Sequence, residues 1–176
     1  MLKAEIWGIA ETGDGFMIFI KPFQSEYSVP IFIGQLEAQA ILIGFGKISI
    51  SRPLTPDLLL NLIKEADFEL LRVEINDLRE QTFYGRLVLK KRKSGKEFML
   101  DSRPSDALAL AVRSKSPIFI AEKVVAEAGI LTEDLAIGSS EAAHKSLLLK
   151  ALEEAVETEN YEKAAEIRDL LKSLEK

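Results

Sequence analysis

Between Phe98 and Ile120 the chain passes from an apolar run into the polar turn Asp101-Ser102-Arg103-Pro104-Ser105-Asp106, then through an Ala/Leu stretch into a second apolar run. The two apolar runs read as strands. Pro104–Arg113 between them reads as a helix, because Ala and Leu favour helix and proline suits its first turn. Strand, helix and strand in one short segment commit the chain to a mixed architecture. The turn is also unusually polar: two carboxylates, one guanidinium and two hydroxyls crowd a single helix entrance.

Alternation and turn chemistry set out the other elements. Ala4–Ile9 and Phe16–Lys21 read as strands around Glu11-Thr12-Gly13-Asp14-Gly15, a turn rich in the residues that hairpins demand. Tyr27–Ile33 is a third strand, and Leu36–Phe45 a helix that is apolar nearly all round and therefore expected to be buried. Thr55 is placed to cap the next helix, with Pro56 at its first position, Asp57 in its first turn, and Leu58, Leu59, Leu62 and Ile63 as its apolar stripe. Phe68–Ile75 alternates as a strand, with Asn76-Asp77 opening a turn. Thr82–Lys90 and Glu97–Leu100 flank a basic hairpin tip. Pro117–Ile120 is a further strand and Glu122–Ala128 a short helix.

Helices interspersed with hairpins predict an α+β domain, with a mixed, mostly antiparallel sheet in place of a doubly wound parallel one. That domain occupies residues 1–130. A polar linker, 131–143, leads to an α-helical hairpin at 144–176, formed by His144–Glu157 and Tyr161–Glu175 with Asn160 as a cap. So small a hairpin has little core of its own and gains by docking on a partner.

Composition narrows the chemistry. The chain of 176 residues has a net charge of -5, but the charge is uneven. From Ala126 onward 12 acidic and 6 basic residues leave -6, whereas Met1–Val125, with 16 acidic and 17 basic residues, is +1. A nearly neutral main domain weakens any claim of strong nucleic-acid binding, which needs a concentrated basic face, but leaves room for a local basic patch. There is no cysteine and the one histidine is His144, which excludes disulfides, thiolate catalysis and Cys-ligated zinc. Any metal would use oxygen ligands, which favours Mg2+ or Mn2+. No apolar stretch is long enough to cross a membrane, so the expectation is a cytoplasmic protein with no membrane partner.

The turn at Asp101–Asp106 has two readings. In the first, Asp101 and Asp106 hold a divalent ion that activates water, and Arg103 clamps a phosphate at the helix start. In the second, Ser102, Ser105 and Asp106 cap free amides and Arg103 pairs with Asp101 or Asp106. Arg52, Thr55 and Asp57 repeat the pattern of an Arg-Pro step before a helix with Asp in its first turn. If the two entrances lie side by side, they form one cleft, and Glu37 and Asp77 are further acidic candidates. Lys91, Arg92, Lys93 and Lys96 suit the backbone of a nucleic acid, although a solvated hairpin tip kept basic against edge pairing is the commoner arrangement. The apolar run Val29–Phe45 points to a homo-oligomer, with a dimer as the first expectation.

Four separated motifs carry a resemblance. They are Val29-Pro30-Ile31-Phe32-Ile33-Gly34 with Glu37-Ala38; Arg52-Pro53-Leu54-Thr55-Pro56-Asp57-Leu58; Ile75-Asn76-Asp77-Leu78 with Thr82-Phe83-Tyr84; and Asp101–Ala107 leading to Pro117-Ile118-Phe119-Ile120. In this order they resemble the bifunctional nuclease domain family, whose members are associated with cleavage of DNA and RNA. The chain departs from the family at Pro56, where histidine is common.

The tail, with Leu152-Glu153-Glu154-Ala155-Val156-Glu157 and Asn160-Tyr161-Glu162-Lys163-Ala164-Ala165-Glu166-Ile167-Arg168-Asp169, resembles the UVR motif, a hairpin that mediates protein contacts in an excision-repair helicase subunit. The resemblance implies Tyr161, Ala164, Ala165, Arg168 and Asp169 as partner-binding residues. Two functions stay open. One is a metal-dependent nuclease acting on nucleic-acid phosphodiesters through Asp101, Asp106, Arg103, Asp57 and Arg52. The other is a non-catalytic oligomeric regulatory module whose hairpin recruits a repair or stress-response partner.

Overall fold

The structure, a computed structural model, describes residues 1–13, 15–46 and 51–134, together with Leu152, Val156, Tyr161, Ala164, Ala165 and Arg168. His144, Asp169 and the expected linker after Asp134 lie outside the described residues. The six described residues of the tail are all helical.

Three strands in succession, β1 (Leu2–Thr12), β2 (Gly15–Pro22) and β3 (Tyr27–Ile33), form an antiparallel meander. A second meander joins β4 (Phe68–Arg79), β5 (Thr82–Lys91) and β6 (Glu97–Ser102). Between them lies β7 (Ile118–Ile120), antiparallel to β1 and parallel to β4. With β8 (Ile130–Leu131) on the outer side of β3, the sheet order is β6-β5-β4-β7-β1-β2-β3-β8. The expected α+β architecture with a mostly antiparallel sheet is present.

Four helices cover one face: α1 (Gln35–Phe45), α2 (Thr55–Glu65), α3 (Pro104–Ser114) and α4 (Glu122–Ala128). Strand alternation decides which face. Ile18 and Ile20, Val29, Ile31 and Ile33, Val73 and Ile75, Leu87 and Leu89, and Ile118 and Ile120 all point inward against Ala38, Ile41, Ile63, Val124 and the Ala/Leu face of α3. Burying an Ile or Leu of this set contributes about 1.5–3 kcal/mol. On the opposite face Glu74 is buried between Arg72 and Arg86. Burial pushes its carboxyl up, but hydrogen bonds from the two guanidinium groups outweigh that, and the net shift is downward.

Several local expectations are corrected. Asn76 and Asp77 do not open a turn. They lie in β4, which bulges between Ile75 and Asp77, and the turn falls at Glu80 and Gln81, both with positive φ. Thr55 does not cap α2. Leu54 precedes the helix, Thr55 is its first residue and Pro56 its second, and Asp57 accepts the Leu54 N–H at 3.1 Å. α1 buries Ala38, Ile41 and Leu42, but Leu36 remains exposed, so it is not covered on every side.

Candidate functional site

Arg103 stands in extended backbone immediately before α3. Its Nε and Nη2 donate to the two carboxylate oxygens of Asp106 at 2.8 and 3.1 Å, and its Nη1 donates to Glu37 of α1 at 3.0 Å. A planar guanidinium matches a carboxylate edge to edge, and Asp106 lies one helical turn onward, so the pair closes locally. Asp106 first, and Glu37 second, hold the Arg103 guanidinium still more firmly protonated. The side chain nonetheless remains 65% exposed. The expected pairing of Arg103 with Asp106 is therefore present. The expected capping is not: no side chain caps α3, and the Ser102 hydroxyl is buried without a partner.

Gly85 positions this entrance. A methyl group there would sit 3.0 Å from the carbonyl oxygen of Ser102 and 3.2 Å from Cα of Pro104. Strand β5 thus approaches the β6–α3 junction backbone to backbone, so closely that any side chain at Gly85 would push the junction away by a few tenths of an ångström.

Arg113, near the other end of α3, escapes a reading of the sequence. Its side chain is 7% exposed. Nε donates to Asp57 of α2 at 3.0 Å, and Nη1 donates to the carbonyls of Ala40 and Ala109 at 2.7 and 2.9 Å. One guanidinium therefore ties α1, α2 and α3 together, while its Nη2 is buried without a partner. The signal available was a lone arginine closing an otherwise apolar helical run. Gly44 makes the contact possible, since a methyl there would lie 2.5 Å from Val112 and 2.8 Å from Arg113 Nη1.

These groups form a polar seam. Glu37 and Ala40 lie one turn apart on α1, and Asp106 and Arg113 two turns apart on the same face of α3. The two helix entrances thus communicate through α1 and Arg113, not by direct apposition. Arg52 is exposed in the bend before α2, and the arginine bound to Asp57 is Arg113.

Asp101 lies apart from the seam. It pairs in register with Arg86, so it points to the face opposite Leu87, Leu100 and the helices. Among the described residues it makes no side-chain hydrogen bond or ion pair. Asp77 is held by Lys123 and by Arg79, whose Nε lies at 2.7 Å. Those hydrogen bonds, Lys123 first, bring its carboxyl from an ordinary 3.8 to about 2. Lys91, Arg92, Lys93 and Lys96 are all exposed at the β5–β6 tip. In the tail Tyr161 and Arg168 are exposed and Ala164 is buried.

The acidic residues do not fit a divalent metal as they stand. Asp101 and Asp106 face opposite sides of the sheet edge, and both oxygens of Asp106 already accept from Arg103. Among the described residues no group of three or more His, Cys, Asp or Glu stands where it would hold an ion. Nor is any described helix long and apolar enough to cross a membrane.

Residues 18–133 match the bifunctional nuclease domain. The chain belongs to this family. The match runs from within β2 to the short 3-10 turn after β8 and contains every residue of the seam. Residues 146–176 match the UvrB/uvrC motif. An uncharacterised protein of Mycobacterium tuberculosis is 36% identical over 118 residues, covering 67% of this chain and 69% of that protein. Several plant relatives bear the family's name. Bifunctional nuclease 1 of Arabidopsis thaliana is 24% identical over 165 residues, covering 81% of this chain and 51% of its own length. Bifunctional nuclease 2 of Oryza sativa subsp. japonica is 28% identical over 107 residues, covering 60% of this chain and 33% of its own. The chain thus spans about half, or less, of these plant relatives.

Proposed function

We propose that the chain hydrolyses phosphodiesters of DNA or RNA, with phosphate held at the seam by Arg103. The observation that carries this is the state of Arg103, an exposed guanidinium fork at a helix start, steadied from one side by Glu37. The names of the plant relatives support it.

In the proposed step, Arg103 keeps Glu37 on Nη1 and exchanges Asp106 for two phosphate oxygens on its Nε–Nη2 edge. The freed Asp106 carboxylate accepts a proton from water as that water's oxygen attacks phosphorus; the bond from phosphorus to the leaving oxygen breaks with its electron pair on that oxygen, which takes up the proton from Asp106 and leaves as a hydroxyl. Asp57 and Arg113 position α2 and α3 around the seam, and Arg52 adds positive charge at its border. Because Asp101 and Asp106 do not converge, no step is assigned to a metal. Dependence on Mg2+ or Mn2+ is a proposal for measurement.

The test is cleavage of labelled DNA and RNA by the wild type, Arg103→Ala and Asp106→Asn, with Mg2+, with Mn2+ and with a chelator. Loss of about 100-fold or more is expected for Asp106→Asn, as for removal of a general base. Variants that cut as fast as the wild type sink the proposal.

A second reading is a non-catalytic regulatory module. It is favoured by one observation: the seam carboxylates Glu37, Asp57 and Asp106 are all bound to guanidinium groups already. In either reading the tail recruits a protein partner in the cytoplasm through Tyr161, Ala164, Ala165, Arg168 and Asp169. The protein works as a homodimer, since Phe32 and Leu36 stand 67% and 77% exposed on either side of Gly34. Sedimentation of the wild type and of Phe32→Glu tests the dimer.

A further inference from the structure

The β5–β6 hairpin carries a feature that the seam does not use. Phe98 of β6 and Phe68 of β4 pack edge to face, with ring centroids 5.3 Å apart at 80°. Lys96 Nζ lies 5.3 Å from the Phe98 ring and Lys91 Nζ lies 5.9 Å from the Phe68 ring. Phe98 is 39% exposed, on a strand with no neighbour on its outer side among the described residues.

The charge around the rings is unbalanced. Among the described residues none of Lys91, Arg92, Lys93 and Lys96 pairs with a carboxylate, whereas Arg72, Arg79, Arg86, Arg103 and Arg113 all do. The tip is also held in place. Lys91 N–H donates to Lys96 O at 2.9 Å, Gly95 N–H to Lys91 O at 2.8 Å, and Arg92 N–H to Asp67 O at 2.9 Å. A fixed site loses little on binding to ordering of its own groups.

Aromatic rings beside cations that no described carboxylate neutralises suit a polymer with exposed base faces and a phosphate backbone. A duplex hides its base faces from such rings, and residues 1–125 carry a net charge of only +1. From Lys96 to Arg103 the edge of β6 runs for about 20 Å, so a strand lying along it would reach the seam. We propose that the exposed Phe98 ring, backed by Phe68, which packs against the core, and flanked by Lys91 and Lys96, forms a stacking platform that binds single-stranded nucleic acid and feeds it along β6 toward Arg103. This rests on the nuclease reading for what happens at Arg103, but not for the binding itself.

The test is fluorescence anisotropy of the full chain with labelled 12-mers of oligo-dT and oligo-U and with a 12-base-pair duplex, alongside cleavage of the same probes. The wild type is expected to bind single strands at least about 10-fold tighter than duplex. Phe98→Leu, which keeps the apolar packing, is expected to weaken single-strand binding about 5- to 100-fold, while Phe98→Trp retains it. Phe98→Leu binding like the wild type, or a duplex bound equally well, overturns the platform even if cutting continues. Single-strand binding lost in Phe98→Leu, with no cutting by the wild type, upholds the platform and removes the nuclease reading. A wild type that binds no nucleic acid overturns both.

Discussion

Arg113 donates its Nε to Asp57 across the interface between α3 and α2, and the same carboxylate accepts the Leu54 N–H that opens α2. Asp57 is therefore a cap and an ion-pair partner at once. Asp57→Ala removes the cap and strands a buried guanidinium, and is expected to lower stability by about 3 kcal/mol in urea unfolding. Arg113→Met, which fills the volume without charge, should cost less than Asp57→Ala. Equal losses would show that packing, not the unpaired charge, sets the cost.

Gly44→Ala raises intrinsic helix propensity by about 1 kcal/mol. The added methyl would nonetheless meet Val112 and Arg113 of α3. The expected net result is destabilisation by about 1–3 kcal/mol, because α1 and α3 must separate. A thermal melt with unchanged or raised midpoint would show that the helices do not pack this closely.

Asp77 gives a pH signature. Its folded value of about 2 lies below the ordinary 3.8, so the ion pairs contribute stability fully above that ordinary value and lose it as pH falls toward 2. Wild type and Asp77→Asn should therefore differ by a constant amount from neutral pH down to about 5, and converge between about 4 and 2. A gap that stays constant to pH 2.5 in denaturant titrations would mean that Lys123 and Arg79 do not hold the ionised form.

The basic tip predicts a salt effect. Replacing Arg92 and Lys93 by Glu should weaken binding of any nucleic acid and reduce the slope of log affinity against log salt by about 0.7 per lost phosphate contact on single strands. An unaltered slope would make the tip a solvated turn.

Removing residues 144–176 should leave the domain's unfolding transition in place. Ala164, though buried, is not part of the domain's core. Collapse of the truncated chain in circular dichroism would show that the hairpin completes that core.

How much of this was readable in advance divides along sequence separation. The meanders follow from alternation and turn residues, and Arg103 with Asp106 from a spacing of one helical turn. Local propensity puts Asn76-Asp77 in a turn, whereas pairing with Tyr84 keeps Asp77 in β4, and its partner Lys123 lies 46 residues away. The same applies to Glu37 and Arg103, 66 residues apart, and to Asp57 and Arg113, 56 apart. Asp101 misled for another reason. Its closeness in sequence to Asp106 suggested a pair, but the pleat of β6 turns it to the other face.

Strand β7 has one more consequence. Its three residues are the only strand contact between the two meanders among the described residues. Each meander can zip up from neighbouring segments, but Ile118 must find both Ala4 and Val73, at opposite ends of a long stretch of chain. Joining the halves is then the slow, entropically costly event of folding. Amide protons of Ile118–Ile120 should gain protection late in refolding, after those of either meander.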